Sequence, residues 1–339
     1  MPSLHIFNPE TDYALASGLE SYTPPSGVRE IRMANALVPA AYANEGDVIL
    51  LADEPRSDIS DLYCYDIAQA KRLRILTKNQ ARRIKDEIVH FTPCPWGWNP
   101  NIRKFFINTI GDMPGLPSSE IITDIRKLSH RRTAAMALQL MSSEINPEIE
   151  IPVEIDSSEE AMKYVRKGMP LYFKAPWSSS GRGVICTDGM SLPQIEKWIY
   201  GIVRRQGSVM MEKAYKRSLD FATEWICSKG EPIFTGFSIF NVLENGKYLG
   251  NVSASQDKLY NIISASTPDI EKYISLQRET LKTLIASHYD GPVGIDMLVT
   301  ASGAVNPCVE INLRHTMGMV QLHRAEFIET HQNLLPYEN

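Results

Sequence analysis

The feature that most constrains this chain is a pair of short segments near its C-terminal end. One is Gly291-Pro-Val-Gly-Ile-Asp-Met-Leu-Val-Thr300; the other lies within Asn306-Pro-Cys-Val-Glu-Ile-Asn-Leu-Arg-His-Thr-Met-Gly318. Val309 to Leu313 alternate apolar and polar, the period of a half-buried strand. Ser302-Gly303 between the segments is a turn signal, so together they read as a hairpin. Side chains two apart on a strand share a face, which puts Glu310 beside Asn312. The hairpin brings Asp296 to the same place. Two carboxylates and an amide oxygen suit a hard cation such as Mg²⁺ (or Mn²⁺). Arg314 continues that face and can meet an anionic group.

Upstream, strand and helix patterns alternate, which predicts an α/β first domain. Residues 4–7 read as a first strand and end at Asn8-Pro-Glu-Thr-Asp12. Asn8, Glu10 and Asp12 are candidate substrate-binding residues, because open α/β sheets take ligands at strand ends. A polar, self-capping turn accounts for them equally well. A helix is expected over 31–43, strands over 47–52 and 74–77, and a helix capped by Asn79. Thr92 to Pro100 reads as a proline-stiffened loop carrying Trp96 and Trp98, either a substrate platform or a packed turn. The expected domains are 1–118 and 119–339, the latter dividing at about 145–215 and 216–339.

The second region has helical periodicity from Ser119 to Met141, with a basic cluster at Ser129-His-Arg-Arg-Thr133. Ser157 or Ser158 starts a further helix. The strand Leu171-Tyr-Phe-Lys174 delivers Lys174 to the loop Trp177-Ser-Ser-Ser-Gly-Arg-Gly183. Small residues let backbone N–H groups approach phosphate oxygens, and Arg182 adds charge. The loop is neither a Walker loop nor GxGxxG, and alone it is as consistent with a linker. A strand then runs into Glu212-Lys-Ala214. A β-rich block, turned at Asn245-Gly246, extends through Asn251 to Tyr260, and an amphipathic helix covers 270–288.

With 339 residues, the chain can bury about three quarters of its unfolded surface. A net charge of −5 without a basic run disfavours nucleic acid as a partner. Five scattered cysteines argue against a disulfide framework or a zinc site. No basic, apolar leader and no membrane-length apolar run is present, so a cytoplasmic protein without membrane association is expected.

In their order, these features resemble the ATP-grasp superfamily over roughly residues 125–320. The N-terminal third resembles the α/β domain that precedes the grasp. The resemblance implies an α/β plus α+β architecture, with a two-subdomain ATP-grasp fold after a pre-ATP-grasp-like domain. It implies ATP and Mg²⁺, and a ligase that joins a carboxylate to an amine through an acylphosphate. Small-molecule or peptide carboxylates and amines are then the partners, and similar enzymes are frequently homodimers.

Carried over by position, Lys174 resembles the lysine on the α/β-phosphates. Ser179, Ser180, Gly181, Arg182 and Gly183 resemble the mobile loop over the phosphates. Glu212, Lys213 and Ala214 resemble the adenine hinge, and Asp220 the acid on the ribose. Asp296, Glu310 and Asn312 match the metal ligands. Arg131 stands where the family often has a lysine, with His130 and Arg132 as near alternatives. No arginine precedes Asp296, so Lys258 and Arg314 are the catalytic candidates facing the γ-phosphate. A phosphotransferase on the same scaffold and a silent nucleotide-binding module are the rival functions.

Overall fold

A computed structural model describes residues 1–53, 62–179, 181, 183–243 and 248–330, apart from the side chains of 62 and 63. Ser180, Arg182 and the Asn245-Gly246 turn lie outside the described residues. By their contacts the residues form two compact units, Met1–Arg126 with Arg314–Asn339, and Lys127–Leu313.

The first unit is built on a parallel sheet of order β3-β2-β1-β4. Its strands are β1 (Ser3–Ile6), β2 (Val48–Leu51), β3 (Arg74–Thr77) and β4 (Thr92–Pro95). Helices α1 (Thr11–Ser17), α2 (Ser26–Ala34), α3 (Leu62–Ala70), α4 (Lys78–Arg83), α5 (Lys85–Ile88) and α6 (Pro100–Thr109) surround it, and α7 (Ser119–Leu128) follows. β2 is buried throughout, as its unbroken apolar run requires.

Three local expectations change. The helix expected over 31–43 is α2 followed by a 3-10 turn at Val38–Ala41, because Pro39 lacks the N–H that a continuous helix needs. The cap of α4 is Thr77, which accepts from the Gln80 N–H while Gln80 bonds back; Asn79 sits inside the helix. Thr92 to Pro95 is a strand and not a loop. Thr92 and Trp96 donate to the carbonyls of Pro2 and Ile6, so even positions face β1. Pro93 and Pro95 occupy the alternate positions on an edge strand, where a missing donor costs nothing.

In the second unit α8 (Arg132–Leu140) leads to an antiparallel sheet of order β5-β8-β6-β7. Its strands are β5 (Val153–Ile155), β6 (Leu171–Lys174), β7 (Val184–Cys186) and β8 (Val209–Lys213). Leu171, Phe173, Val209 and Met211 face a core shared with α9 (Ser158–Val165) and α10 (Leu192–Gln206). The alternate residues Tyr172, Lys174, Met210 and Glu212 therefore share the other face. The expected helix 119–141 is interrupted between α7 and α8, where the Arg131 N–H donates to the Pro176 carbonyl.

The second sheet of this unit has order β11-β10-β9-β12-β13 and is antiparallel. Its strands are β9 (Arg217–Ser228), β10 (Glu231–Val242), β11 (Tyr248–Asn251), β12 (Gly291–Thr300) and β13 (Val305–Asn312). Residues 256–260, expected within the β block, belong to α11 (Gln256–Ser266), since Leu259 and Ile263 recur at a helical four-residue spacing and are buried. α12 (Ile270–Leu284) follows, and Gln277 on it accepts from Thr223 of β9.

The chain then returns to the first unit. In α13 (Met317–Thr330), Phe327 packs with Leu37 and Ile67, and Val320 with Phe7, Val38 and Trp96. The contact boundary thus falls at 126/127 rather than 118/119, and Arg314 onward leaves the second region because its apolar residues complete the first unit's cores. Among the described residues no helix is long and apolar enough to cross a membrane.

Candidate active site

The register of the five-stranded sheet assembles the candidate metal ligands. Asp296 stands directly opposite Glu310, and Asn312 opposite Gly294. The ladder slips immediately after Asp296, a bulge of the kind that aims side chains at a site. Across β9, Asp296 pairs with Ala222, Gly294 with Glu224 and Leu298 with Asp220. Period-two alternation therefore puts Asp220, Glu224, Asp296, Glu310 and Asn312 on one face. Glu224 was not singled out from sequence, although its spacing of four from Asp220 in a strand already gives it that face. It is fully buried and accepts from Ser238 Oγ at 2.9 Å.

The cations arrive from the other sheet and from the start of α8. Arg131 is 7% exposed; its Nη1 lies 2.8 Å from Glu310 Oε2. Its Nε donates to the Ala175 carbonyl at 3.0 Å and its Nη2 to Ser178 Oγ at 3.2 Å. One guanidinium thus ties the candidate metal carboxylate to the Ser/Gly loop. Its neighbours point elsewhere: His130 packs edge-on to Trp177, and both His130 and Arg132 approach Glu154.

Lys174 is 5% exposed and lies 2.5 Å from Glu212 Oε2, across the β6–β8 pair. The field of Lys174 reaches Asp220, and the fields of Asp296, Glu212 and Glu310 all reach the buried Cys308 thiol. Burial and then those three carboxylates push that thiol up. Burial also raises the Asp220 carboxyl, against the pull of Arg217 and Lys174. The Tyr248 phenol is pushed up to about 12 by burial and then by Asp296 and Glu224.

A cleft of about 490 Å³ opens beside these charges, lined by Tyr172, residues 215–220 and residues 239–243. That volume is within the range of small-molecule sites. Asp220 on its wall is 3.2 Å from Arg217, whose guanidinium lies over the Tyr172 ring. Arg217 was not anticipated, and its adjacency to Asp220 was the available signal. The expected hinge residues sit just outside the lining. The Ala214 N–H donates to the Pro170 carbonyl, Lys213 pairs with Glu150 at 3.1 Å, and Glu212 holds Lys174.

In the Ser/Gly loop, Gly181 and Gly183 have φ of +71° and +100°. A Cβ at Gly183 would stand 2.7 Å from the Ser178 Cβ, so only glycine fits. Ser179 is half-buried beside them. Lys258 is exposed in the first turn of α11, a helix bound through Gln256 to the backbone of Phe237. Phe237 pairs with Thr223, whose side chain points away from the carboxylate face.

The remaining candidates belong to the first unit. Asn8 is 1% exposed and donates to Thr11 Oγ1 and to the Gly97 carbonyl, each at 2.8 Å. Its amide ties the ends of β1 and β4 together, the turn-forming alternative. Glu10 pairs with Arg32 at 2.5 Å, and Asp12 with Arg314 at 3.0 Å. Trp96 packs on Phe7 and Trp98 on Phe106, so both tryptophans support the core. His315 is stacked on Tyr42 at 3.9 Å; burial holds its imidazole well below the usual pKa, hence neutral. A Cβ on Gly97 would meet Thr11 Cγ2 at 2.7 Å and Arg314 Cβ at 2.9 Å. Gly97→Ala is therefore expected to cost about 1–3 kcal/mol in a urea melt, as overpacking does.

Among the described residues no three His, Cys, Asp or Glu side chains gather as a metal cluster. Two carboxylates and an amide fit a different arrangement, in which a hard cation takes the rest of its ligands from phosphate oxygens. The donor set and the flanking cations fit a metal–nucleotide pair.

No protein-family model and no curated protein matches the chain. Solved structures do. Biotin carboxylase from Campylobacter jejuni is 15% identical, with 95% of this chain and 71% of that one covered at a TM-score of 0.51. The biotin carboxylase domain of the Hydrogenobacter thermophilus 2-oxoglutarate carboxylase is 14% identical, with 91% and 69% covered, also at 0.51. The chain has the ATP-grasp fold.

Proposed function

We propose that this protein is an ATP-dependent ligase that joins a carboxylate to an amine. The observation that carries the reading is the convergence, inside one unit, of Lys174–Glu212 and Arg131–Glu310 with Asp296 and Asn312 beside a 490 Å³ cleft. Buried lysine and arginine next to hard oxygen donors are what a polyphosphate and its counter-ion require. The structural relative from Hydrogenobacter was solved with MgADP, and we carry the nucleotide and Mg²⁺ to this chain.

The base and ribose occupy the cleft, with the Asp220 carboxylate accepting from the ribose hydroxyls. Lys174 and Arg131 neutralise the phosphates, and the backbone at Ser178, Ser179, Gly181 and Gly183 lies against them. Asp296, Glu310 and Asn312 would hold Mg²⁺, which would supply positive charge against the phosphates. The chain supplies position and charge, which is most of what phosphoryl transfer needs. The γ-phosphoryl group passes to the substrate carboxylate and ADP leaves. The amine nitrogen attacks the acyl carbon, the bond to phosphate oxygen breaks, and the amine proton goes to solvent.

The test is ADP and phosphate release over a panel of amino acids and short peptides, with and without Mg²⁺. Equimolar ADP, phosphate and coupled product are expected only when carboxylate and amine are both present. ADP with a stable phosphorylated alcohol would identify a phosphotransferase instead, and no Mg²⁺-dependent release in any mixture would sink the enzyme reading.

A further inference from the structure

Strand β6 ends at Lys174, and the Ser/Gly loop has to leave the sheet from there. Arg131 fixes the first steps. Its backbone N–H donates to the Pro176 carbonyl and its Nε to the Ala175 carbonyl. The Ala175 N–H closes the neck of the loop on the Gly183 carbonyl at 2.7 Å. Beyond Trp177, Arg131 Nη2 meets Ser178 Oγ. Trp177 lies between these anchors and is 7% exposed, so its peptide N–H and carbonyl need partners inside the protein.

One side chain supplies both. Gln206 Oε1 accepts from the Trp177 N–H at 3.0 Å, and Gln206 Nε2 donates to the Trp177 carbonyl at 3.2 Å. A primary amide carries acceptor and donor side by side, so it pairs with a peptide as a neighbouring strand would. A carboxylate lacks the donor, and an aliphatic chain lacks both. The amide is itself held in place. Gln206 is the last residue of α10, whose Ile195, Ile199 and Ile202 share a core with β6 and β8. Gly207 then ends the helix, its N–H on the Val203 carbonyl. The indole of Trp177 is fixed separately, edge-on to His130 at 4.6 Å.

We propose that Gln206 is a positioning residue of the nucleotide site: through the Trp177 peptide it sets the direction in which the Ser/Gly loop leaves β6, and with it the affinity for the polyphosphate tail. Trp177 immediately precedes Ser178 and Ser179. With Gln206 in place, those residues start from one orientation, and phosphate binding need not first order them. Without it the Trp177 peptide loses two partners, and binding has to supply the order. The base and ribose, in the cleft of residues 215–220 and 239–243, lie outside this effect. The consequence for affinity rests on the nucleotide reading above; the clamp on Trp177 does not.

The test is equilibrium titration of the whole protein with adenosine and with ATP, Mg²⁺ present, for the wild type and Gln206→Met. Methionine keeps the length of the side chain and removes both hydrogen bonds. The Kd for ATP is expected to rise about tenfold, the scale of a hydrogen bond's net contribution, while the Kd for adenosine stays unchanged. In the nucleotide-free protein the Trp177 amide should exchange its hydrogen about tenfold faster, with the β6–β8 ladder unaltered. Unchanged ATP affinity, equal weakening of adenosine and ATP, or wild-type exchange at Trp177 each overturns the proposal. If Gln206→Met does not fold, Gln206→Asn, whose amide falls one methylene short of Trp177, carries the same comparison. Wild-type ATP affinity in the variant, beside Mg²⁺-dependent ligation by the wild type, would overturn the clamp's role and leave the ligase standing. A selective loss of ATP affinity in a protein that releases no ADP in any mixture would do the reverse.

Discussion

Glu310→Gln is expected to lower kcat/KM for Mg²⁺-dependent ATP turnover about a thousandfold, the scale of losing a preorganised group that faces transition-state charge. Glu310 meets two demands at once. It faces Asp296 across the hairpin, and its Oε2 holds the Arg131 guanidinium at 2.8 Å. The amide keeps the shape but loses the charge that both interactions use. Arg131 retains the Ala175 carbonyl and Ser178, so the fold should survive with a loss of up to about 3 kcal/mol, as expected when one member of a buried pair is removed. The readout is ADP release titrated against Mg²⁺, with a parallel denaturant melt. Asp296→Asn should raise the Mg²⁺ requirement in the same way, whereas Arg131→Lys should raise the KM for ATP and leave that requirement alone. A Glu310→Gln enzyme with wild-type turnover at wild-type Mg²⁺ would end the metal assignment.

Lys174→Met should raise the KM for ATP roughly tenfold to a hundredfold, for loss of one charge-assisted contact to phosphate. It should also destabilise the protein by about 3–5 kcal/mol, because Glu212 is left buried without its partner. These two effects separate in the double variant Lys174→Met/Glu212→Gln. With both charges gone the stability should largely return, since a buried pair contributes little net stability. Nucleotide affinity should not return. A double variant that regained wild-type affinity for ATP would make the pair a structural feature only, as read by equilibrium titration with ATP and by urea melts.

What the sequence made legible was local. Alternation in 309–313 is enough to align Glu310 with Asn312, and a short turn at Ser302-Gly303 brings Asp296 opposite because hairpin register follows from loop length. Lys174 at a strand end before a Ser/Gly loop is equally a matter of near neighbours. What escaped depends on distant partners. Nothing near Arg131 distinguishes it from His130 and Arg132. Its direction is set by the Pro176 carbonyl, which holds the chain at the start of α8. The Lys174–Glu212 pair needs the β6–β8 register, which joins segments about forty residues apart. Pro93 and Pro95 disguised β4 as a loop, since only pairing with β1 shows that their missing donors fall on the open side. The β-rich block expected to run through Tyr260 gives way to a helix at Gln256, because Leu259 and Ile263 repeat at a helical spacing.

The return of Val320 and Phe327 to the cores around Leu37 and Phe7 sets a timetable for folding. The second unit is contiguous, from Lys127 to Leu313, so a ribosome releases it whole. Most of the first unit is made before the second, yet it waits for α13, synthesised after the entire second unit. During translation, Leu37, Val38 and Ile67 therefore spend the longest time without their final apolar neighbours. Of the two units, the one begun earlier is the one completed later, and a chaperone's interest should centre on it.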